Sequence, residues 1–458
     1  MCMCDDNFVD CSRLGLTAIP PLRPPGILPV TNVEFDGNRI TSVPAGSLPV
    51  GLVQLTFNDN PIQTIDDDAF IHSSTTLQTL GLTLAPHSRI PDALLNLRSL
   101  IFFELYNTDV GDWNEEMMMY LAPKLQSISF GNVSVHTWPG WFQYCNQVTQ
   151  LSLDNSNITS IPDNGLDGMT NSLITLSLTG NSLTSVPKAI YKLVNITHLY
   201  VDSNKITDVT WLPKHARLDT LALNNNKISN GTQLSEALRP FAEFLSDLNL
   251  VGNELTAIPD LDFLTFQSID LSFNKIYDLN AGSLSPDLHG LNLGNNLLTS
   301  VPSVVFRVQS LGSLMMASNL VTRVQASLIP VSLRYLDLQH NLLTELTDTS
   351  FPENSNLLYL YLNNNPLTTI SDHAFANLAQ LEELYLGSTR LARLPLGLTS
   401  LHSLTTFDVS EITRLVCTCM EKNLAPWIKS LRSGRVSGTC GLMSVYDFFS
   451  LLSPDCPP

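Results

Sequence analysis

Apolar residues recur along this chain in one phrase, L-x-x-L-x-L-x-x-N-x-L, with Val, Ile, Phe or Met standing in for Leu. LLYLYLNNNPL at 357–367 is one copy, and LITLSLTGNSL, LDTLALNNNKI, LHGLNLGNNLL and LRYLDLQHNLL are others. Copies start at Val30, Leu52, Leu77, Leu100, Leu125, Val148, Leu173, Ile196, Leu218, Leu245, Phe266, Leu288, Leu311, Leu333, Leu357, Leu381 and Leu404. They lie about 21 to 27 residues apart, a spacing that marks a stacked repeat. The x-L-x-L-x part alternates with period two, which predicts a short strand with its leucines inward. Successive strands would stack as a parallel sheet at about 4.8 Å.

The Asn closes the strand and turns the chain inward. Its amide can satisfy backbone groups that the turn leaves unpaired, so losing it should cost roughly 1–3 kcal/mol. Asn38, Asn60, Asn181, Asn204, Asn226, Asn253, Asn274, Asn296, Asn319, Asn341 and Asn365 hold this position. Four consecutive copies depart from it and carry Ala85, Thr108, Val133 and Ser156, which makes 77–158 irregular. That stretch contains DWNEEMMMYL, read as a short helix capped by Asp112 with Glu115 three residues on. Met117 to Met119 are read as core filler. QLSEALRPFAEFL, between Asn230 and Leu245, predicts a second helix.

With its period and phrase, the chain is identified as a member of the leucine-rich-repeat family. The resemblance implies an α/β fold: a solenoid (horseshoe) with a parallel β-sheet on the concave face and short helices and irregular segments on the convex face. About 17 repeats are expected over 30–415, between cysteine-rich caps at 1–29 and 416–458.

Composition narrows the function. Hydrophobic residues make up 44% of the 458 positions, enough for a sizeable core. Charged residues are 14%, below the roughly 25% of an average globular protein. The net charge of −18 argues against nucleic acid and anionic membrane surfaces, which need Lys and Arg clusters. No apolar run reaches the roughly 18 residues of a membrane span. No basic start followed by a long apolar stretch opens the chain, so a removed leader is expected if the protein is exported.

Cysteine placement favours export. Cys2, Cys4, Cys11, Cys417, Cys419, Cys440 and Cys456 sit at the two ends, and only Cys145 lies between. Both ends show C-x-C rather than the C-x-x-C of zinc knuckles, so disulfides are preferred to metal, and disulfides imply an oxidising compartment. Sequons at Asn132, Asn157, Asn195 and Asn230 point the same way and are expected to carry glycans.

CMCDDNFVDCSRLGLTAIP at the start resembles the cysteine-rich cap of extracellular leucine-rich-repeat proteins of the Slit, Nogo receptor and Toll-like receptor type. That cap has four cysteines, pairing first with third and second with fourth. Here Cys2, Cys4 and Cys11 match the second, third and fourth, so the resemblance implies Cys2–Cys11 and leaves Cys4 without an upstream partner. A native chain that continues upstream is therefore expected. Cys145, about four to five strands from Cys4 at the sheet spacing, is too far to pair with it and is read as a buried free thiol. VCTCMEKNLAPWIKSLRSGRVSGTCGLMSVYDFFSLLSPDC resembles the matching C-terminal cap. It implies Cys417–Cys440 and Cys419–Cys456, with Trp427 packed on the last coil.

Between the inward leucines, the third, fifth and seventh positions of each repeat point onto the sheet face. They carry Glu34, Asp36, Glu104, Asp154, Asp202, Asp247, Asp270, Asp337, Glu383 and Asp408, and no Lys or Arg. Toward the C-terminal end they also carry Tyr335, Tyr359, Tyr361 and Tyr385, with Met315 and His340 nearby. Tyr is a residue type enriched at binding hot spots. Tyr335, Asp337, Tyr359, Tyr361, Glu383 and Tyr385 are the expected ligand-binding residues. A smaller group, Phe102, Glu104 and Tyr106, adjoins the irregular repeats.

These features predict a non-enzymatic extracellular module, secreted or a receptor ectodomain. It would bind a protein or glycan whose contacting surface is basic or polar-aromatic. A structural or adhesive matrix protein that self-associates as a homo-oligomer is the alternative. Catalytic motifs such as H-E-x-x-H, G-x-S-x-G and G-x-G-x-x-G do not occur, and no cofactor or metal site is expected. Asp66-Asp67-Asp68 reads as a solvated turn.

Overall fold

The computed structural model describes residues 2–22 and 29–452. The chain forms two compact units, Met1–Lys227 and Ile228–Pro458. In the first, a hairpin of Met3–Asp5 and Phe8–Asp10 opens a sheet. Parallel strands then follow in chain order: Asn32–Glu34, Gln54–Ile62, Thr79–Leu84, Phe102–Tyr106, Ser127–Gly131, Gln150–Asp154, Thr175–Ser177, His198–Tyr200 and Thr220–Ala222. The second unit holds an eight-stranded sheet of Ser268–Asp270, Gly290–Asn292, Ser313–Met315, Tyr335–Asp337, Tyr359–Tyr361, Glu383–Tyr385, Thr406–Asp408 and Val436–Ser437. In each unit, coils that return behind their strands build the leucine-rich-repeat solenoid.

Period-two alternation places the leucines as expected. Leu336, Leu360, Leu384 and Phe407 pair in one row across the second sheet, each fully buried. Asparagine holds the turns. Asn365 donates from Nδ2 to the carbonyls of Leu338 and Leu362, both at 2.9 Å, and its Oδ1 accepts from the Leu343 amide at 3.0 Å. One side chain thus ties its own strand end to the preceding coil. In the irregular stretch, smaller hydroxyls do part of this work. Thr108 donates to Tyr106 O and accepts from the Leu84 amide. Ser156 donates to Asp154 O and accepts from the Val133 amide.

The first expected helix spans Glu115–Leu121, but its cap differs from the sequence reading. Asn114, at φ 53°, is the N-cap residue, and its side chain makes no capping bond. Asp112 instead accepts from the Asn114 amide at 2.8 Å, which stabilises a left-handed residue that Asn tolerates. Glu115 is turned away to accept from the Gly140 amide at 2.9 Å. Met117 and Met118 are buried, whereas Met119 is exposed and is not core filler. The second helix is Gly231–Leu238, capped by Asn230, whose side chain accepts from the Gln233 amide at 3.0 Å.

Disulfides join Cys2 to Cys11 and Cys417 to Cys440. Cys419 is also disulfide-bonded, and its expected partner, Cys456, lies outside the described residues. Cys4 is exposed and Cys145 buried, both unbonded. Trp427 closes the final coil: its Nε1 donates to Leu401 O at 3.0 Å, and its ring meets Phe407 edge-on at 5.4 Å. No helix among the described residues is long and apolar enough to cross a membrane.

Candidate protein-binding face

Register alone assembles the tyrosines. Tyr335 is paired with Tyr359 and Tyr359 with Glu383, while the next row runs Met315, Asp337, Tyr361, Tyr385, Asp408. The rings follow. Tyr361 and Tyr385 stack at 4.6 Å and 6°, Tyr335 and Tyr361 lie 5.1 Å apart, and Tyr335 and Tyr359 lie 6.3 Å apart. All four are half-buried, with one side against the sheet and one side open. Burial pushes the hydroxyls of Tyr335 and Tyr385 up to about 12, helped by the Asp337 charge at the first and by the bond to Glu383 at the second. At neutral pH those two hydroxyls are uncharged. Each ring carries a negative face that attracts cations.

The acids divide into two kinds. Asp337 is only 6% exposed, and its carboxylate accepts from the backbone amide and Nε2 of Gln339, both at 3.0 Å. Burial raises its pKa. It lies beneath the rings and braces the strand end. Asp270 and Asp408 accept likewise from the amides of Ser272 and Ser410, and Asp36 and Asp202 from those of Asn58 and Asn224 in the next coil. Part of the acidic excess on the strand faces thus has a backbone cause: an Asp at the fifth position caps its own strand end, and one at the seventh caps the next. Glu383 is different. It accepts a 2.9 Å bond from the Tyr385 hydroxyl and stays partly exposed between the rings and the C-terminal segment.

The sequence reading missed the end of this sheet. Val436–Ser437 pairs with Phe407 and Asp408, and Arg435 immediately precedes it, at the end of the 3-10 turn Ser433–Arg435. Arg432 and Arg435 line a cleft of about 420 Å³ together with Glu383, Thr405 and Ser430. The strand-face positions of the repeats hold no basic residue, yet the last segment brings two to the face's edge. VSGTC lacks the repeat phrase, so the only available signal was the distance from the last repeat.

In the first unit, Glu104 and Asp36 approach across Gly81, where a Cβ would meet the Asn58 side-chain Oδ1 at 2.9 Å. Burial raises both carboxyl pKa values. Tyr106 bonds Ser129 at 3.0 Å and lies over Gly131. Asn132, Asn157, Asn195 and Asn230 are all exposed. Asn132 donates to Asn107 Oδ1 and Asn195 to Asn171 O, both at 2.8 Å.

A leucine-rich-repeat family model matches residues 146–206 and 331–391, the second segment containing all four patch tyrosines. The chain is 30% identical over 304 residues to human podocan-like protein 1, covering 64% of this chain and 55% of that protein. It is 25% identical to chicken (Gallus gallus) keratocan over 265 residues, 55% of this chain and 70% of that one. The chain spans about half the length of the podocan-like relatives it matches. Among solved structures, a chain of the Drosophila Toll–Spatzle complex aligns with 89% of this chain and 55% of its own length, at 21% identity and TM-score 0.57. A Leptospira interrogans leucine-rich-repeat protein aligns with 79% and 85%, at 19% identity and TM-score 0.53. The repeated strands and asparagine turns give this chain the leucine-rich-repeat solenoid fold, with disulfide-bonded ends.

Proposed function

We propose that the chain is a non-enzymatic extracellular recognition module that binds a protein through the sheet face bearing Tyr335, Asp337, Tyr359, Tyr361, Glu383 and Tyr385. The observation that carries this is the ordered cluster of four half-exposed tyrosines beside Glu383, two of them stacked. Side chains with large apolar area and a polar tip, already fixed by their neighbours, lose little entropy on binding. The ring faces and Glu383 favour Lys or Arg on the partner. Asp337 acts from below, as a brace and a buried source of negative potential. Disulfides at both ends support an oxidising compartment, and glycans on Asn132, Asn157, Asn195 and Asn230 belong to the same reading.

Affinity capture from the medium of cells making the chain tests the proposal. The Y335A/Y359A/Y361A/Y385A variant should lose a partner that the unaltered chain retains. Equal capture by both would remove the tyrosine face from the account.

The alternative, a self-associating structural protein, draws on one feature. Leu297, Leu320 and Leu342 each follow the turn asparagine in successive coils and are 40–46% exposed. Sedimentation that stays monomeric from micromolar to millimolar concentration would exclude it.

A further inference from the structure

We infer that the cleft lined by Glu383, Thr405, Ser430, Arg432 and Arg435 is an anion subsite that takes a single carboxylate side chain of the same protein ligand. This rests on the proposed tyrosine face and adds a second charge requirement to it. Arg432 and Arg435 are exposed, and neither forms an ion pair among the described residues. A guanidinium fork matches a carboxylate in charge and geometry. Its volume of about 420 Å³ falls at the low end for ligand pockets, suiting one side chain rather than a long chain segment.

The surrounding charge selects the kind of anion. Glu383 lines the cleft itself, Asp408 lies on the neighbouring strand, and the chain carries −18 overall. A polysulfated glycan would set many negative charges against these acids. A peptide with one carboxylate and one cation would satisfy the arginines and the tyrosine–Glu383 patch together. The strands of Tyr359 and Val436, the residue after Arg435, are three steps apart, about 14 Å at the sheet spacing. An extended peptide covers that distance in about four residues. The ligand is therefore a mixed-charge segment with Lys or Arg about four residues from Asp or Glu.

A random displayed heptapeptide library, selected on the full chain, tests this. Selection should enrich peptides with an acidic residue at a fixed spacing of about four from a basic one. On R432S/R435S the basic preference should persist and the acidic one vanish. An enriched peptide should bind that variant roughly tenfold or more weakly, the scale of a lost charge-assisted hydrogen bond. R432K/R435K should recover part of the loss, and unchanged thermal unfolding of both variants would show that they fold. Enriched peptides without a fixed acidic position, or an acidic preference that survives R432S/R435S, would overturn the subsite while leaving the tyrosine face standing. Tight binding of dextran sulfate that R432S/R435S abolishes would overturn it in favour of a glycan. Enrichment indifferent to Y359A/Y361A would overturn the tyrosine face, and the subsite with it.

Discussion

Tyr361 and Tyr385 stack nearly parallel with centroids 4.6 Å apart. That separation is close to the distance between neighbouring strands of a sheet, about 4.8 Å. The two residues are direct register partners, so the backbone, not a ligand, sets the stack. Tyr385→Ala should therefore lower stability by about 1 kcal/mol, and a Y361A/Y385A double-mutant cycle should return a coupling of about 0.5–1.5 kcal/mol in chemical unfolding. Zero coupling would show that the rings do not stack in solution.

The turn asparagines differ in value from their hydroxyl substitutes. Asn365→Ala leaves two buried carbonyls and one buried amide without their side-chain partner, and a loss of about 2–4 kcal/mol is expected. Ser156→Ala removes one donated and one longer accepted bond, and about 1 kcal/mol is expected. Urea midpoints of the two variants check the order. A Ser156→Ala loss equal to that of Asn365→Ala would mean the irregular repeats use their hydroxyls as fully as the others use asparagine.

Acid should stabilise this protein at first. Burial raises the carboxyl pKa values of Glu34, Asp36, Glu104, Asp202 and Asp337 above their ordinary values. Between the unfolded and folded values the native state binds more protons, so stability falls as pH rises through that window and grows as pH drops into it. Asp10 and Asp92 are shifted the other way by hydrogen bonds, but Asp92 is exposed and Asp10 only half-buried. Thermal unfolding should give a higher Tm near pH 5 than near pH 7. A lower Tm near pH 5 would contradict the desolvated acidic face.

Trp427 ties the C-terminal segment to the last coil through one hydrogen bond and one edge-on ring contact. Trp427→Phe keeps an aromatic ring but leaves Leu401 O unpaired, at a cost of about 1–3 kcal/mol. Amide exchange should speed up at Phe407 and Val436, whose strands pair beside it. Unchanged exchange there would show that the contact does not anchor the segment.

Much of this was legible in the chain because each repeat writes the same physics. Period-two leucines announce inward strands, and the asparagine announces the turn that Asn365 completes. Tyr359 and Tyr361 could be placed on one face, beside Tyr335 and Tyr385, because the phrase fixes register from coil to coil. Legibility ended where the phrase ended. Arg435 lines a cleft with Glu383 just before Val436–Ser437, a strand with no repeat signature. Asp337 reads as a face acid, yet its short side chain folds back to Gln339, a contact that spacing does not encode. Asn114 took the cap expected of Asp112 because a left-handed residue can precede the helix there, and spacing does not encode that choice.

Radical footprinting of tyrosine rings, with and without the captured partner, tests the central claim most directly. Tyr359, Tyr361 and Tyr385 should lose most of their oxidation in the complex, while Tyr277, 60% exposed in the same unit, should stay unchanged. Oxidation of the three rings that is the same free and bound, with protection appearing elsewhere, would contradict the account.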